Sequence, residues 1–472
     1  MKNLKTILCL STVTLFSGQV VFAAVSSAAP VKTEKKETVT NITKNSAAEP
    51  LALKISGTIT AQAGGVKQKD NSNGKAGAVN FQIPTSDLYF KVYGKTDSGY
   101  RYGYVTRLQA ITNSVGIKRS YIEVSKDDIG SFEIGNVKGV DDKFGSYGAY
   151  GLLGGTGGIN GSAGDYYNFS EGTIKGTTII GSPGVGTKIN YTSPTVNGFT
   201  AGLSFTPNTT HTGKMGRDNT RSQSNSGDDG NEKMIYPNEK NYGYGINNVT
   251  MALKYEGEHQ EHRFGGDFVY ITESPIFSIK DNLNYSIGGV FTPVKPSRKK
   301  NKLQKTNSWM ASLNYGYDKL DVAANYLNNK KSRYYTKELE DMNRTAANIV
   351  PLFPTQEADG TPYVCEGNAG RAWNIGSSYK FGSYKAALGY FNTSRKTHAS
   401  GSAKVDAVTA TLDLKALEGL TFFGEVTGLR TKTNETSILG AKDYELSASN
   451  GANSPIGNNK GAVFIVGTKV SF

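Results

Sequence analysis

From Leu51 to Phe472, large apolar residues recur at every second position in short bursts, with Gly, Asn, Asp and Pro gathered between them. Leu53, Ile55 and Ile59 alternate with Lys54, Ser56, Thr58 and Thr60. Leu88, Phe90 and Val92 alternate with Tyr89, Lys91, Tyr93 and Lys95, and Tyr100, Tyr102, Tyr104, Thr106 and Leu108 with Arg101, Gly103, Val105, Arg107 and Gln109. In the last burst Ala462, Phe464, Val466, Thr468, Val470 and Phe472 share one face, while Gly467, Lys469 and Ser471 share the other. A period of two describes strands with one apolar and one wet face. About seventeen such segments can be counted, each near the ~9–11 residues that a tilted strand needs to cross a bilayer.

The links between bursts sort by length. Asp127–Gly130, Pro194–Gly198, Asp318–Lys319 and Ala416–Gly419 are short, and they alternate with long polar stretches over Gly139–Gly176, Pro207–Asn247, Lys330–Gly370 and Lys432–Asn459. Short turns at one end and long loops at the other predict an all-β fold, an antiparallel up-and-down transmembrane β-barrel over residues 51–472. Both ends of the barrel on one side require an even strand number. Sixteen strands are expected, with eighteen as the alternative. The miscount falls between Val249 and Pro293, where strand directions conflict.

Upstream of Leu51 the pattern is different. Lys2 and Lys5 precede an apolar stretch from Ile7 to Phe22, and Val21-Phe22-Ala23 supplies the small residues of a cleavage site, so residues 1–23 read as a secretory signal peptide. Residues 24–50, rich in Ala, Ser, Thr, Lys and Glu, read as a flexible periplasmic extension. Beyond the signal no apolar run approaches the ~18 residues of a spanning helix, so a membrane can be crossed only by strands. Once Cys9 leaves with the signal, Cys365 is alone and no intramolecular disulfide can form. The 27 Tyr and 56 Gly favour strands and tight turns. The net charge of +13 would suit nucleic acid, anionic lipid or anionic solutes, and export argues against nucleic acid.

Two stretches resemble the general trimeric porins of Gram-negative bacteria. They are Lys118-Arg-Ser-Tyr121 through Asp127-Asp-Ile-Gly130-Ser-Phe132-Glu-Ile-Gly135, and Thr187-Lys-Ile-Asn-Tyr191 through Ser193-Pro194-Thr-Val-Asn-Gly198-Phe199-Thr-Ala-Gly202. The tail Gly467-Thr-Lys-Val470-Ser-Phe472 is similar to that family's assembly signal, recognised by the barrel-assembly machinery, although Val466 sits where a polar residue is usual. The resemblance implies a homotrimer in the outer membrane, surrounded by lipid and lipopolysaccharide. It also implies a third loop, starting near Gly139, that folds into the lumen and sets acidic groups against a basic wall. The acidic candidates are Asp141, Asp142, Asp165 and Glu171. Where the family's loop carboxylate aligns, this chain reads Leu152-Leu153-Gly154-Gly155-Thr156, and Asn136 replaces a frequent Arg. Strand parity and the resemblance together direct Lys54, Lys91, Lys95, Arg101, Arg107 and Lys118 into the lumen, with Lys188 facing the same way. Thr58, Tyr89 and Thr192 occupy other positions where the family carries basic residues.

These features predict an outer-membrane porin, a water-filled channel for passive diffusion of small hydrophilic solutes with a mild anion preference. The alternatives are a substrate-specific channel and a surface adhesin or receptor barrel. No cofactor and no metal are expected. Gly181-Ser-Pro-Gly-Val-Gly186-Thr187-Lys188 lacks the order and the following helix of a phosphate loop. His259 and His262 flank a turn without a third ligand. No Ser/His/acid grouping can be assembled, so no enzyme is expected. The basic run Pro296–Lys305 suits lipopolysaccharide phosphates, or simply a solvated outer loop, better than nucleic acid.

Overall fold

The computed structural model describes residues 51–69, 79–111, 114–145, 148–169, 179, 184–208, 245–275, 284–287, 290–293, 305–330, 332, 370–396, 402–433 and 458–472. The signal peptide, the extension at 24–50, Glu171, Cys365 and most of the basic run at 296–305 lie outside these residues.

The strands are β1 (Ala52–Gln68), β2 (Asn80–Lys95), β3 (Arg101–Ile111), β4 (Ser114–Lys126), β5 (Gly130–Lys138), β6 (Val185–Thr192), β7 (Phe199–Asn208), β8 (Gly245–His259), β9 (His262–Pro275), β10 (Asn284–Ile287), β11 (Val290–Pro293), β12 (Thr306–Tyr317), β13 (Leu320–Lys330), β14 (Gly370–Phe381), β15 (Tyr384–Lys396), β16 (Ser402–Leu417), β17 (Leu420–Thr433) and β18 (Asn459–Ser471). Sixteen of them close into one antiparallel ring that runs from β1 to β9 and then from β12 to β18. The ring decides the strand number between sixteen and eighteen. It also explains the surplus segment: β9 pairs directly with β12, while β10 and β11 form a separate two-stranded sheet within the connection between them. Alternation alone cannot tell a hairpin in a loop from a pair of barrel strands.

The connections sort as the sequence suggests. Seven hairpins at one end occupy 96–100, 127–129, 193–198, 260–261, 318–319, 382–383 and 418–419. The links at the other end include 139–184, 209–244, 331–369 and 434–458. Apolar side chains face outward between two aromatic belts. Near the hairpins, His262 stacks on Tyr317 and Phe381 on Tyr384; toward the loops, Trp309 stacks on Phe268 and Trp373 packs against Tyr390. Trp309 and Tyr317 are eight residues apart on one strand, roughly 27 Å along a strand that crosses the layer at a tilt, or about 20 Å along the barrel axis. His262 also shares a hydrogen bond with the Tyr315 hydroxyl at 2.7 Å, so this histidine belongs to the belt.

The seam between β1 and β18 holds the ring closed. Their ladder runs from Thr58↔Ser471 to Gln68↔Gly461, while on its other side β1 pairs with β2 from Ala52↔Tyr93 to Gly64↔Asn80. The Gly57 amide donates to the Phe472 carbonyl at 2.9 Å, and the Phe472 amide donates to the Gly57 carbonyl at 3.1 Å. The Phe472 ring lies over Gly57, where an added Cβ would come within 2.6 Å of ring atom Cζ. Gly57→Leu is therefore expected to displace the ring and weaken the seam by about 1–3 kcal/mol. The check is the temperature at which the folded barrel loses its compact mobility on a denaturing gel; an unchanged temperature counts against the ring's role.

Candidate pore constriction

The link between β5 and β6 turns inward and runs along the inside of the barrel. It contains α1 (Val140–Phe144), α2 (Ala149–Leu152), a 3₁₀ turn (Gly158–Asn160) and α3 (Ala163–Tyr166). In order, these pack on β7–β9, on β13–β15, on β16 and β17, and on β18 and β1. The third loop thus enters the lumen as the resemblance implies and lines the far wall through most of its circuit.

Apolar burial seats it. Inward residues of the far wall, among them Val269, Ile271, Met310, Leu327, Phe391, Val405, Leu429, Val463 and Ile465, are almost wholly buried and cluster with Val140, Phe144, Ile159, Ala163, Tyr166 and Tyr167 of the loop. Over Val269–Ile271 in β9 and Val463–Ile465 in β18 the inward positions are apolar as well as the outward ones. At about 25 cal/mol per Å² of apolar area, such burial outweighs any single polar contact in the loop.

Polar contacts then fix its register. The Val140 amide donates to Ser204 Oγ at 2.7 Å and the Ala149 amide to Asn374 Oδ1 at 2.6 Å. Gly155 N–H donates to Asp413 Oδ1 at 2.8 Å, and Thr156 donates to Glu425 Oε2 through its amide at 2.9 Å and its hydroxyl at 2.8 Å. Farther on, the Asn168 amide donates to Gln68 Oε1 at 2.9 Å. A Cβ at Gly154 would fall on the Asp413 carboxylate, so glycine there lets the backbone approach. The loop stretch Leu152–Thr156 brings no carboxylate of its own. Carboxylates from β16 and β17 reach it instead.

The wall formed by β2, β3 and β4 stays open. Tyr89, Arg107 and Arg119 share one inward row; Lys91 and Tyr121 lie nearer the hairpins, and Lys95 faces Arg101 at the hairpin end. Arg107 pairs with Asp87 at 2.6 Å, Lys91 with Glu123 at 3.4 Å, and Arg101 with Asp127. The Lys91 and Arg101 side chains are 44% and 55% exposed, whereas Met310, Leu327 and Thr427 on the far wall are 0% exposed. Lys54, directly opposite Lys91, extends the basic surface onto β1.

The seven basic residues singled out in the sequence do not form one row. Arg107 lies level with the loop. Arg101 sits six residues nearer the hairpins, roughly 20 Å along an extended strand. With Lys54, Lys91 and Lys95 it lines a vestibule rather than the narrowest point. Lys118 is the extra residue of a β-bulge: the ladder passes from Arg107↔Arg119 to Leu108↔Ile117 and leaves it out. Arg119 takes the inward place that parity assigned to Lys118. Lys188 points inward but is 1% exposed, and it donates to the Gly184 carbonyl at 2.6 Å beneath the root of the loop.

Among the acidic candidates, Asp142 is the one that faces the basic wall. It lies 3.6 Å from Arg119 and also pairs with Lys138. Asp141 is buried beside it on α1, and Asp165 is exposed on α3. Lys143 anchors α1 to the buried Glu133 at 2.6 Å. Parity alone could have flagged Arg263, Lys380 and Asp321, an inward group on the far side of the vestibule with separations of 3.0 and 3.8 Å.

An inward-folded loop against an open charged wall, inside a closed ring of strands, defines a membrane channel. The chain belongs to the Gram-negative porin family, whose model matches residues 19–350, well over half of the sequence. It is accordingly an outer-membrane barrel that passes small solutes. Among solved structures it is similar to in-vitro folded OmpT, an outer-membrane protein of Vibrio cholerae, at 10% identity, covering 89% of this chain and 98% of that one with a TM-score of 0.50. It is also similar to Salmonella typhi OmpF in complex with daunomycin, at 12% identity, 89% and 98% coverage and a TM-score of 0.50. At these identities the likeness is one of fold. No curated protein matches the chain.

Glu425→Ala is expected to free two loop donors, Thr156 N–H and O–H, at a cost of about 1–3 kcal/mol. The loosened loop should show as larger or noisier single-channel currents together with a lower unfolding temperature. Currents as steady as those of the unaltered protein would remove Glu425 as an anchor.

Proposed function

We propose that the chain forms a general diffusion pore with a mild preference for anions, assembled from three copies. The observation that carries the reading is the uneven lumen. The loop covers the far wall, burying apolar residues such as Met310, Leu327 and Ile465 together with polar ones such as Asn325, Thr409 and Glu425, and the exposed solute path runs along β2–β4 with Lys91, Lys95 and Arg101 at its surface. A basic surface in a channel with low-dielectric walls raises the local concentration of anions. The preference is mild because Asp87, Glu123 and Asp127 neutralise part of the charge. Steric sieving falls to the loop, which the Asp142–Arg119 ion pair at 3.6 Å ties to the basic wall.

In this reading transport is passive and no residue performs chemistry. The long-loop end faces outward and the hairpins face the periplasm. Gly467, Val470 and Phe472 lie on the seam strand and serve as the assembly signal. Basic residues at the vestibule act on long-range attraction, so they need no fixed partner to contribute.

Reversal potential under a salt gradient tests the proposal. The unaltered protein is expected to favour chloride over potassium. Lys95→Glu combined with Arg101→Glu should move the permeability ratio toward potassium by roughly two- to fivefold, and less at high salt, because the charges act over a screening length. Potassium selectivity in the unaltered protein would sink the anion assignment and leave the channel itself standing.

A further inference from the structure

Three tyrosines stand on the open inner wall. Tyr89 and Tyr93 on β2 and Tyr121 on β4 occupy inward positions, and none of the three is buried. The other inward strand aromatics among the described residues, Phe391 and Phe423, are only 5% and 6% exposed and join the apolar cluster under the loop. Tyrosines on the lipid side serve the belts. These three have no lipid to meet.

Cross-strand neighbours normally cover one another, but here they leave the rings room. Tyr93 sits between Ala52 and Gly103, Tyr121 between Val105 and Gly135, and Tyr89 between Ser56 and Arg107. Each ring therefore has a small residue, or none, on at least one side. From Tyr89 to Tyr93 is roughly 13 Å along the strand, and Tyr121 falls in the row between them. The result is a staggered column of rings with space for a flat guest.

Cations are interleaved with the rings. Lys91 lies in the row of Tyr121, and Arg107 and Arg119 lie in the row of Tyr89, with the Arg107 guanidinium carbon 5.6 Å from the centroid of the Tyr89 ring. Arg107 and Arg119 are directly opposite each other, a like-charge pair that a nearby anion would relieve. Asp87 accepts from one nitrogen of Arg107, and Asp142 approaches Arg119 at 3.6 Å, beyond hydrogen-bond distance. The Nε of each arginine is shielded from solvent and has no hydrogen-bond partner among the described residues. A guanidinium offers five donors in one plane, so this pair keeps donors to spare. The carboxylates beside Tyr121, Glu123 and Glu133, are already paired with Lys91 and Lys143.

We propose that Tyr89, Tyr121, Arg107 and Arg119 form a subsite for small aromatic acids, in which a planar ring stacks on tyrosine and its carboxylate takes the spare guanidinium donors. The two halves of the patch select the two halves of the guest. Guanidinium–carboxylate pairing holds the acid, and ring-to-ring contact adds a preference that a saturated ring of equal charge cannot claim. Tyr93 offers the next ring toward the vestibule. Binding stays weak enough for release, as conduction requires. The proposal rests on the anion-preferring pore and names the anions it holds best.

The test is block of the chloride current through the full-length protein in a planar bilayer. Benzoate is compared with cyclohexanecarboxylate, which has the same charge and nearly the same size but no π face. Benzoate is expected to reach half-block at a concentration roughly three- to tenfold lower. Tyr89→Leu with Tyr121→Leu should bring the two acids to the same half-blocking concentration. Tyr89→Phe with Tyr121→Phe should keep benzoate ahead, because the ring and not the hydroxyl makes the contact. Benzyl alcohol, a ring without the charge, should block roughly tenfold more weakly than benzoate.

The comparison of the two acids on the unaltered protein needs no variant. Equal half-block by both overturns the proposal and leaves the anion preference standing. So does a benzoate advantage that survives in the leucine variant, or block by benzyl alcohol as strong as by benzoate. A potassium-selective reversal potential with no block by either acid would overturn the anion reading itself, and the subsite with it.

Discussion

A peptide group inside hydrocarbon finds no water, so each N–H and C=O must be paired within the protein. A sheet can meet that condition only by having no edge. Closure of the β1–β18 seam is therefore the constraint on which the rest of this molecule depends. With every pair antiparallel, the ring closes on an even number of strands, here sixteen. Closure also sends Phe472 back to Gly57, so that the last amides of the ladder find partners.

Inside the ring the forces change character. The lumen could have been wet on every side, but apolar residues on the inner faces of β9 through β18 give the third loop something to pack against. Burial holds the loop in place, and a few polar contacts fix its register. Asp413 and Glu425 are the clearest case, since two barrel carboxylates accept from a loop stretch that carries none. The bore that remains is off-centre, bounded by the loop on one side and by the cationic strands β2–β4 on the other.

The outer half of this design was legible in the sequence, because lipid imposes the same demand on every outward residue and period two follows. The alternation in β1, β2, β3 and β18 reproduces the faces seen in the structure. The inner half was less legible. Inward residues answer to whatever lies opposite, and that partner comes from a distant part of the chain. Val463 and Ile465 look anomalous on a water-facing side until the loop is found against them. Parity also fails wherever a bulge adds one residue. Arg119 rather than Lys118 takes the inward place for that reason. Lys188 keeps its parity yet lies beneath the loop root, and no periodicity reports depth. The β10–β11 hairpin has strand-like residues with no place in the ring.

The off-centre bore divides the inner wall into two territories with different tolerance for change. A substitution beneath the loop meets a close-packed interior, where volume and polarity are both constrained. On β2–β4 a new side chain meets mainly solvent and solute. Filtering and folding are thus assigned to separate strands, and the charge of the passage can be rewritten on three neighbouring strands without repacking the structure that holds it open.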